Sequence, residues 1–294
     1  MDVRNIRELP PVVEEGKYLE SIWSLQKKLL EGYIGKIEKD LPMYPIDIHS
    51  FKGQQVLKDF SARVIEEMAE GYESTGLALK LFHLRGYNLN LLDKNDVSMI
   101  LNHLQNSNEE QMDAVAFYTA LFLYANVDIK DIYDYAQKLV PDVPRDLSGI
   151  MWLGYKLMLD SGNIPYNVQD DMVRYHRGYN MMDDEILEDY GYDPKHVHSY
   201  IPAFKSLSED FHSLEDHMLW AVTYHINVGR NFLKNKPWKQ TQELTDVTRY
   251  DEQIVLGFIK YMGYLRFVGF TPETLHELFF KKHRVNCFRQ KSGY

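Results

Sequence analysis

A chain of 294 residues, 45% of them hydrophobic, can bury a sizeable core, and its length suits one large domain or two ordinary ones. Its net charge of −10 disfavours a nucleic-acid-binding surface, because phosphate contacts need clustered Lys and Arg. The single cysteine, Cys287, excludes an internal disulfide, and no run of about 18 apolar residues predicts a membrane span. Residues 1–20 lack the apolar segment of a signal peptide, so we expect a cytoplasmic protein without nucleic-acid or membrane partners.

Apolar residues recur at helical spacing along most of the chain, which predicts an all-α fold. Gly and Pro are sparse, and this disfavours a β-sandwich or a barrel. Asn108 is the expected N-cap of the helix that follows it. One or two lesser helices are expected between 76 and 106. We place the main helices at about 14–40, 54–74, 109–125, 129–139, 214–233, 246–268 and 272–282.

The periodicity changes along the chain and suggests three units. Residues 1–144 form an N-terminal helical unit, and residues 213–294 form a second one. Residues 145–212 are the least periodic and carry several acidic runs, so we interpret them as an insertion or lid of short helices and polar loops. Set without gaps over 252–280, residues 110–138 show the same order of apolar helix, short break and shorter helix. This order indicates an internal duplication, although any two amphipathic helix pairs align loosely.

Two segments with helical periodicity each carry two acids three residues apart: Glu67 and Glu70 in one, Glu110 and Asp113 in the other. Residues i and i+3 share a helix face, and the apolar neighbours favour a face turned toward a helix interface. Four carboxylates gathered there would repel one another and lose solvation. A hard divalent cation relieves both costs, and Mg²⁺ is the usual ion beside a phosphate substrate. Solvated helix faces show the same spacing, so a surface remains the alternative to a metal site.

The acid pairs and the C-terminus together resemble a known family. Glu-x-x-Glu on one helix and Glu-x-x-Asp on the next resembles the all-α nucleoside triphosphate pyrophosphatases, which include MazG-like enzymes and dimeric dUTPases. The string Lys-x-x-x-Asn-x-x-Arg-Gln-x-x-Gly-Tyr, from Lys282 to Tyr294, looks like the phosphate-binding motif of dimeric dUTPases. Such dUTPases also look like duplications in which one copy lost its acids. Here Val255 stands in the second copy where the first has Asp113.

The resemblance covers about 15–140 and 213–294, and it implies a fold and a set of partners. The implied fold is a helical bundle of the all-α nucleoside triphosphate pyrophosphatase type, internally duplicated with a degenerate second copy. The implied activity is Mg²⁺-dependent hydrolysis of a deoxynucleoside triphosphate, first of all dUTP, to the monophosphate and pyrophosphate. A homodimer is implied as well. Such elaborated forms resemble phage-encoded enzymes, which would work in the host cytoplasm.

The resemblance also implies roles for individual residues. The metal ligands and catalytic acids would be Glu67, Glu70, Glu110 and Asp113, with Glu67 preferred as the proton acceptor. The substrate-binding residues would be Gln26 at the base, Lys236 and Trp238 closing over the nucleotide, and Lys282, Asn286 and Arg289 at the phosphates. Residues 145–212 depart from the family pattern. The alternative substrates are dCTP, dTTP or a modified pyrimidine nucleotide, and the alternative function is a non-catalytic nucleotide-binding scaffold.

Overall fold

The computed structural model describes residues 2–34, 39–86, 91–160, 184–198, 201, 209–234 and 244–292. These residues form a short 3₁₀ turn, ten α-helices and connecting loops, with no β-strand among them, which confirms the predicted all-α fold. The α-helices are α1 Tyr18–Tyr33, α2 Phe51–Leu84, α3 Lys94–Ala125, α4 Ile129–Leu139, α5 Leu147–Asp160, α6 Asp184–Asp189, α7 Pro194–His198, α8 Glu209–Phe232, α9 Val247–Phe267 and α10 Pro272–Lys291. Lys236 and Trp238 lie outside the described residues.

Two long helices, α2 and α3, pack together along their length. The Ser50 side chain accepts a hydrogen bond from the Gly53 N–H and caps α2, which continues well beyond the expected end at 74. Asp93 and Asp96 form a capping box at the start of α3. The prediction that Asn108 caps a helix is wrong, because Asp93 begins this helix earlier and Asn108 lies buried inside it.

An aromatic cluster joins α3 to α9. The Tyr118 ring lies 5.5 Å from the ring of Phe258 and 5.7 Å from that of Tyr261, measured between centroids. Phe122 packs edge-on against Phe258 at 5.2 Å. Large buried rings of this kind contribute strongly to core stability. Because α9 also packs against α5 and α8, the cluster connects the α2–α3 pair to the C-terminal helices.

A sharp turn separates α9 from α10. Gly269 has a φ of 104°, a conformation that favours glycine, and follows the end of α9. Thr271 caps α10, and Pro272 occupies its first turn. None of the described helices alone is long and apolar enough to cross a membrane. Only α9 and α10 taken together meet that test of length and composition, and they are bent by 101° relative to each other.

The last helix, α10, is much longer than expected. The prediction that it ends near 282 is wrong, because it continues to Lys291. No Gly or Pro occurs in the sequence between Pro272 and Gly293, so nothing there interrupts the helix. As a result the C-terminal motif is helical, and its spacing places Lys282, Asn286 and Arg289 on one helix face. This helix packs against α1 and α3.

The helix order matches the alignment that suggested a duplication. The end of α3 at Ala125 is followed by α4 at Ile129, and the end of α9 at Phe267 is followed by α10 at Pro272. In both places a long helix, a short break and a further helix follow one another. The helix after the break is longer in the second pair, because α10 is longer than α4. The duplication itself stays a prediction.

Two glycines allow α5 and α9 to approach each other closely. A Cβ atom on Gly154 would lie 1.8 Å from the carbonyl oxygen of Ile259. A Cβ atom on Gly263 would lie 2.2 Å from the backbone nitrogen of Tyr155. Both obstacles are backbone atoms, so the helices would have to separate before a larger residue could fit.

We expect Gly154→Ala to lower the free energy of unfolding by about 2 kcal/mol or more, because overpacking at this contact forces two backbones apart. Gly229→Ala on α8 is the matched control, since its Cβ would meet the side chain of Ile254 at 3.3 Å. The control should change stability by less than about 1 kcal/mol. Urea unfolding measures both variants. Equal losses in the two variants would contradict the close approach of α5 and α9.

Candidate functional site

Three of the four predicted metal ligands converge where α2 and α3 lie side by side. Carboxylate oxygens of Glu67, Glu70 and Glu110 all lie within 4.8 Å of one another. Glu67 and Glu110 are half-buried, and Glu70 is exposed, so the group opens to solvent. Met68 on α2 and Met112 on α3 are buried in the core and hold the acids at its edge. The group could hold a metal ion, and oxygen ligands from carboxylates suit a hard divalent cation.

The fourth predicted ligand, Asp113, adjoins this group but faces α10. Its Oδ2 atom lies 2.9 Å from the Lys282 ammonium, and its Oδ1 atom is 3.5 Å from the side-chain nitrogen of Asn286. Lys282 is only 5% exposed and also contacts the Glu109 carboxylate at 3.2 Å. Asp113 therefore links the acids of α2 and α3 to the C-terminal helix through Lys282 and Asn286, which the sequence motif predicted as phosphate-binding residues.

The charges of this region are only partly balanced. Burial, the neighbouring charge of Asp113 and a hydrogen bond with Glu110 raise the pKa of Glu67 to about 8. Burial also raises the pKa of Glu110, although the charge of Lys282 opposes that shift. Burial disfavours the charged form of Lys282, but Asp113 and Glu109 outweigh it and raise the pKa of the ammonium. Lys282 therefore balances only part of the negative charge of these carboxylates, and a bound cation would offset more of it.

A cavity of about 270 Å³ opens beside the acids, between α1, α2, α3 and α10. Five of the predicted site residues line it, namely Gln26, Glu67, Asp113, Asn286 and Arg289. Gln26 is 4% exposed, and its Oε1 atom accepts no hydrogen bond from the described part of the chain. A buried amide oxygen without a donor is costly, so a ligand that donates a hydrogen bond would stabilise it.

Sequence reasoning missed several residues of this cavity. Arg63, Phe60 and Phe117 line it and carry both cationic and aromatic surface. Helical spacing was the available signal for Arg63, because it precedes Glu67 by one turn. Gln290, part of the C-terminal motif, also lines the cavity, and its side-chain nitrogen donates to the Leu29 carbonyl oxygen at 3.3 Å.

Comparisons of the chain with family models, with curated proteins and with solved structures found no match. The function is therefore inferred from the arrangement of side chains and from the sequence motif. The arrangement offers three kinds of group in one place: clustered carboxylates, cationic and amide side chains on α10, and a partly apolar cavity. Such a combination suits a ligand with an anionic end and a ring.

The raised pKa of Glu67 predicts how the metal-free protein responds to pH. A carboxyl group whose folded-state pKa lies near 8 binds its proton more tightly when folded than when unfolded, so its contribution to stability falls as pH rises from about 4.5 to 8. Glu67→Gln removes this loss. We therefore expect the melting temperature of the variant, relative to the parental protein, to be higher at pH 8 than at pH 5, measured with a chelator present.

Each kcal/mol should appear as a shift of about 2–4 °C in melting temperature for a chain of this size. The comparison between variant and parental protein cancels other groups that titrate over the same range. Glu73→Gln, which neutralises an exposed acid on the same helix outside the acidic group, is the control for the loss of a carboxylate on α2. A Glu67→Gln difference that does not change with pH would show that Glu67 titrates normally.

Proposed function

We propose that the protein hydrolyses a deoxynucleoside triphosphate, with dUTP as the first substrate to test, to the monophosphate and pyrophosphate, using Mg²⁺. The main support is the convergence of Glu67, Glu70 and Glu110 beside a cavity that Glu67, Asn286 and Arg289 line. The resemblance of the C-terminal motif to that of dimeric dUTPases supports the same chemistry. An all-α bundle is compatible with the proposed family type.

The proposed metal ligands are Glu67, Glu70, Glu110 and Asp113. Carboxylate oxygens from two neighbouring helices fit the preference of Mg²⁺ for hard oxygen ligands. When bound, the ion neutralises charge on the phosphates and lowers the pKa of a coordinated water. Lys282 complements this role, because its ammonium already lies against Asp113 and carries positive charge to the same end of the cavity.

The face of α10 is the proposed phosphate-binding surface. Asn286 offers amide hydrogens, and the planar guanidinium of Arg289 can donate two hydrogen bonds to one phosphate group. Both side chains line the cavity, and the rigid helix fixes their spacing. Lys282 lies two turns before Arg289 on the same face and adds a buried cation. The triphosphate would thus lie along α10 with its reacting end near the acids.

Glu67 is the proposed general base. It lines the cavity, and burial together with neighbouring acids raises its pKa to about 8 in the metal-free protein. A bound cation would lower that pKa and so favour the ionised form that a base needs. In the proposed step, the oxygen of a water molecule forms a new bond to phosphorus while Glu67 accepts a proton. The bridging P–O bond between the α- and β-phosphoryl groups breaks, and pyrophosphate leaves.

The proposed oligomer is a homodimer, and the proposed location is the cytoplasm. The first follows from the family resemblance and the second from composition. Light scattering after size-exclusion chromatography tests the oligomeric state. A monomer that hydrolyses the substrate at full rate would overturn the homodimer without affecting the metal-site proposal.

We expect Glu70→Gln and Asp113→Asn each to reduce pyrophosphate release from dUTP by about 100-fold or more, because each removes a metal ligand. Glu70 is exposed, so its variant should remain folded. The matched controls are Glu73→Gln and Asp59→Asn, exposed acids on α2 outside the group, which should retain parental rates. Pyrophosphate detection with a panel of triphosphates, with and without Mg²⁺, measures the effect.

Parental rates in both Glu70→Gln and Asp113→Asn would show that the metal-site assignment is wrong. Binding of the Mg²⁺–nucleotide complex without pyrophosphate release from any triphosphate would instead favour the non-catalytic scaffold. Release of pyrophosphate from dCTP or dTTP in preference to dUTP would support the same hydrolysis with a different base in the substrate. Calorimetric titration of the parental protein with each nucleotide shows whether it binds nucleotides without hydrolysing them.

A further inference from the structure

Arg63 occupies the cavity one turn away from the acidic group. It lies on α2 four residues before Glu67, and both residues line the cavity. Its guanidinium carbon lies 5.5 Å from the centroid of the Phe117 ring and 5.9 Å from that of Phe60. Contacts of this kind with two rings hold the side chain in place through cation–π attraction. Arg63 therefore belongs to the aromatic part of the cavity, whereas Lys282 and Arg289 approach from α10.

Gln26, on α1, lines the same cavity as Arg63. Trp23, one turn before it on α1, stacks on Phe122 with ring centroids 5.7 Å apart. Phe122 is in turn a little more than one helical turn beyond Phe117 on α3, and Gln26 and Phe117 both line the cavity. Gln26 and Arg63 therefore line the same cavity as the rings of Phe60 and Phe117. A planar ring seated there would meet aromatic faces and two hydrogen-bonding side chains.

The two side chains differ in what they can distinguish. The Gln26 amide offers both a donor and an acceptor, so by rotating it can pair with the edge of uracil or with that of cytosine. The guanidinium of Arg63 offers five donors and no acceptor. It therefore favours a carbonyl oxygen and disfavours an amino group, which would bring two donors together. Every pyrimidine nucleotide carries a carbonyl at C2, so discrimination depends on the C4 edge.

We propose that Arg63 determines base specificity by donating to a carbonyl at C4, so that the cavity selects a 2,4-dioxopyrimidine over cytosine. This inference rests on the proposed function, since it names the base class for the same site. The buried oxygen of Gln26, which lacks a donor within the described residues, fits the N3–H of such a base. Cytosine has no hydrogen at N3 and an amino group at C4, so it satisfies neither side chain in that orientation.

The test compares kcat/KM for dUTP and dCTP in the parental protein, in Arg63→Met and in Arg63→Lys. Loss of a charged hydrogen bond to the substrate should lower the dUTP-to-dCTP ratio about tenfold or more in Arg63→Met. The change should appear mainly in KM for dUTP, because a contact with the base acts equally in ground and transition states. Arg63→Lys keeps the positive charge and N–H donors, and it should retain part of the ratio.

Arg85→Met is the matched control, because Arg85 follows the end of the same helix and forms a surface ion pair with Asp96. It should leave the ratio unchanged. An unchanged ratio in Arg63→Met would overturn the inference. An equal loss for both substrates would assign Arg63 to the phosphates and overturn it as well. A change in melting temperature without a change in ratio would show a purely structural role for the side chain.

A failure of the proposed hydrolysis can be distinguished from a failure of the inference about Arg63. If the parental protein releases no pyrophosphate from any triphosphate, calorimetry with dUMP and dCMP still tests Arg63 by binding alone. A preference for dUMP that Arg63→Met removes would support the inference, and the absence of any preference would overturn it. If Arg63→Met does not fold, Arg63→Gln provides the comparison, because it removes the charge, keeps a polar side chain and can also accept a hydrogen bond from an amino group at C4.

Discussion

The structure of the site depends on the close approach of acidic side chains from two neighbouring helices in a half-buried environment. Glu67, Glu70 and Glu110 come together because α2 and α3 pack along their length, and burial together with the neighbouring acids, Asp113 first among them, raises the pKa of Glu67 to about 8. Lys282 offsets part of that charge from a third helix, through Asp113. A group of carboxylates kept this close favours whatever cation the surroundings can supply, and this preference underlies the proposed phosphate chemistry.

Helix spacing alone predicted which acidic side chains would lie close together. Two acids three residues apart share a face wherever the helix begins, so an error in the start of α3 at Asn108 did not affect the placement of Glu110. The all-α fold followed in the same way from apolar periodicity. The C-terminal motif predicted Lys282, Asn286 and Arg289 as site residues without any information on the surrounding helices. In the structure, Asn286 and Arg289 line the cavity.

Other features depended on tertiary contacts that spacing does not report. Arg63 reads in sequence as an ordinary helix-surface arginine, and only the neighbouring Phe60 and Phe117 show that it lines the cavity. The Gly154 contact with α9 likewise depends on two backbones distant in sequence. The length of α10 was underestimated because its sequence changes from apolar to polar near 282, while the helix continues where packing against α1 and α3 supports it.

The continuity of α10 has a mechanical consequence. Lys282 contacts Asp113 of α3, and two turns later Gln290 donates to the Leu29 carbonyl oxygen of α1. A single helix does not bend easily between these two points, so any tilt that brings its cations toward an anion also displaces α1 and with it Gln26. A displacement of α10 at one of these contacts would therefore also be felt at the other.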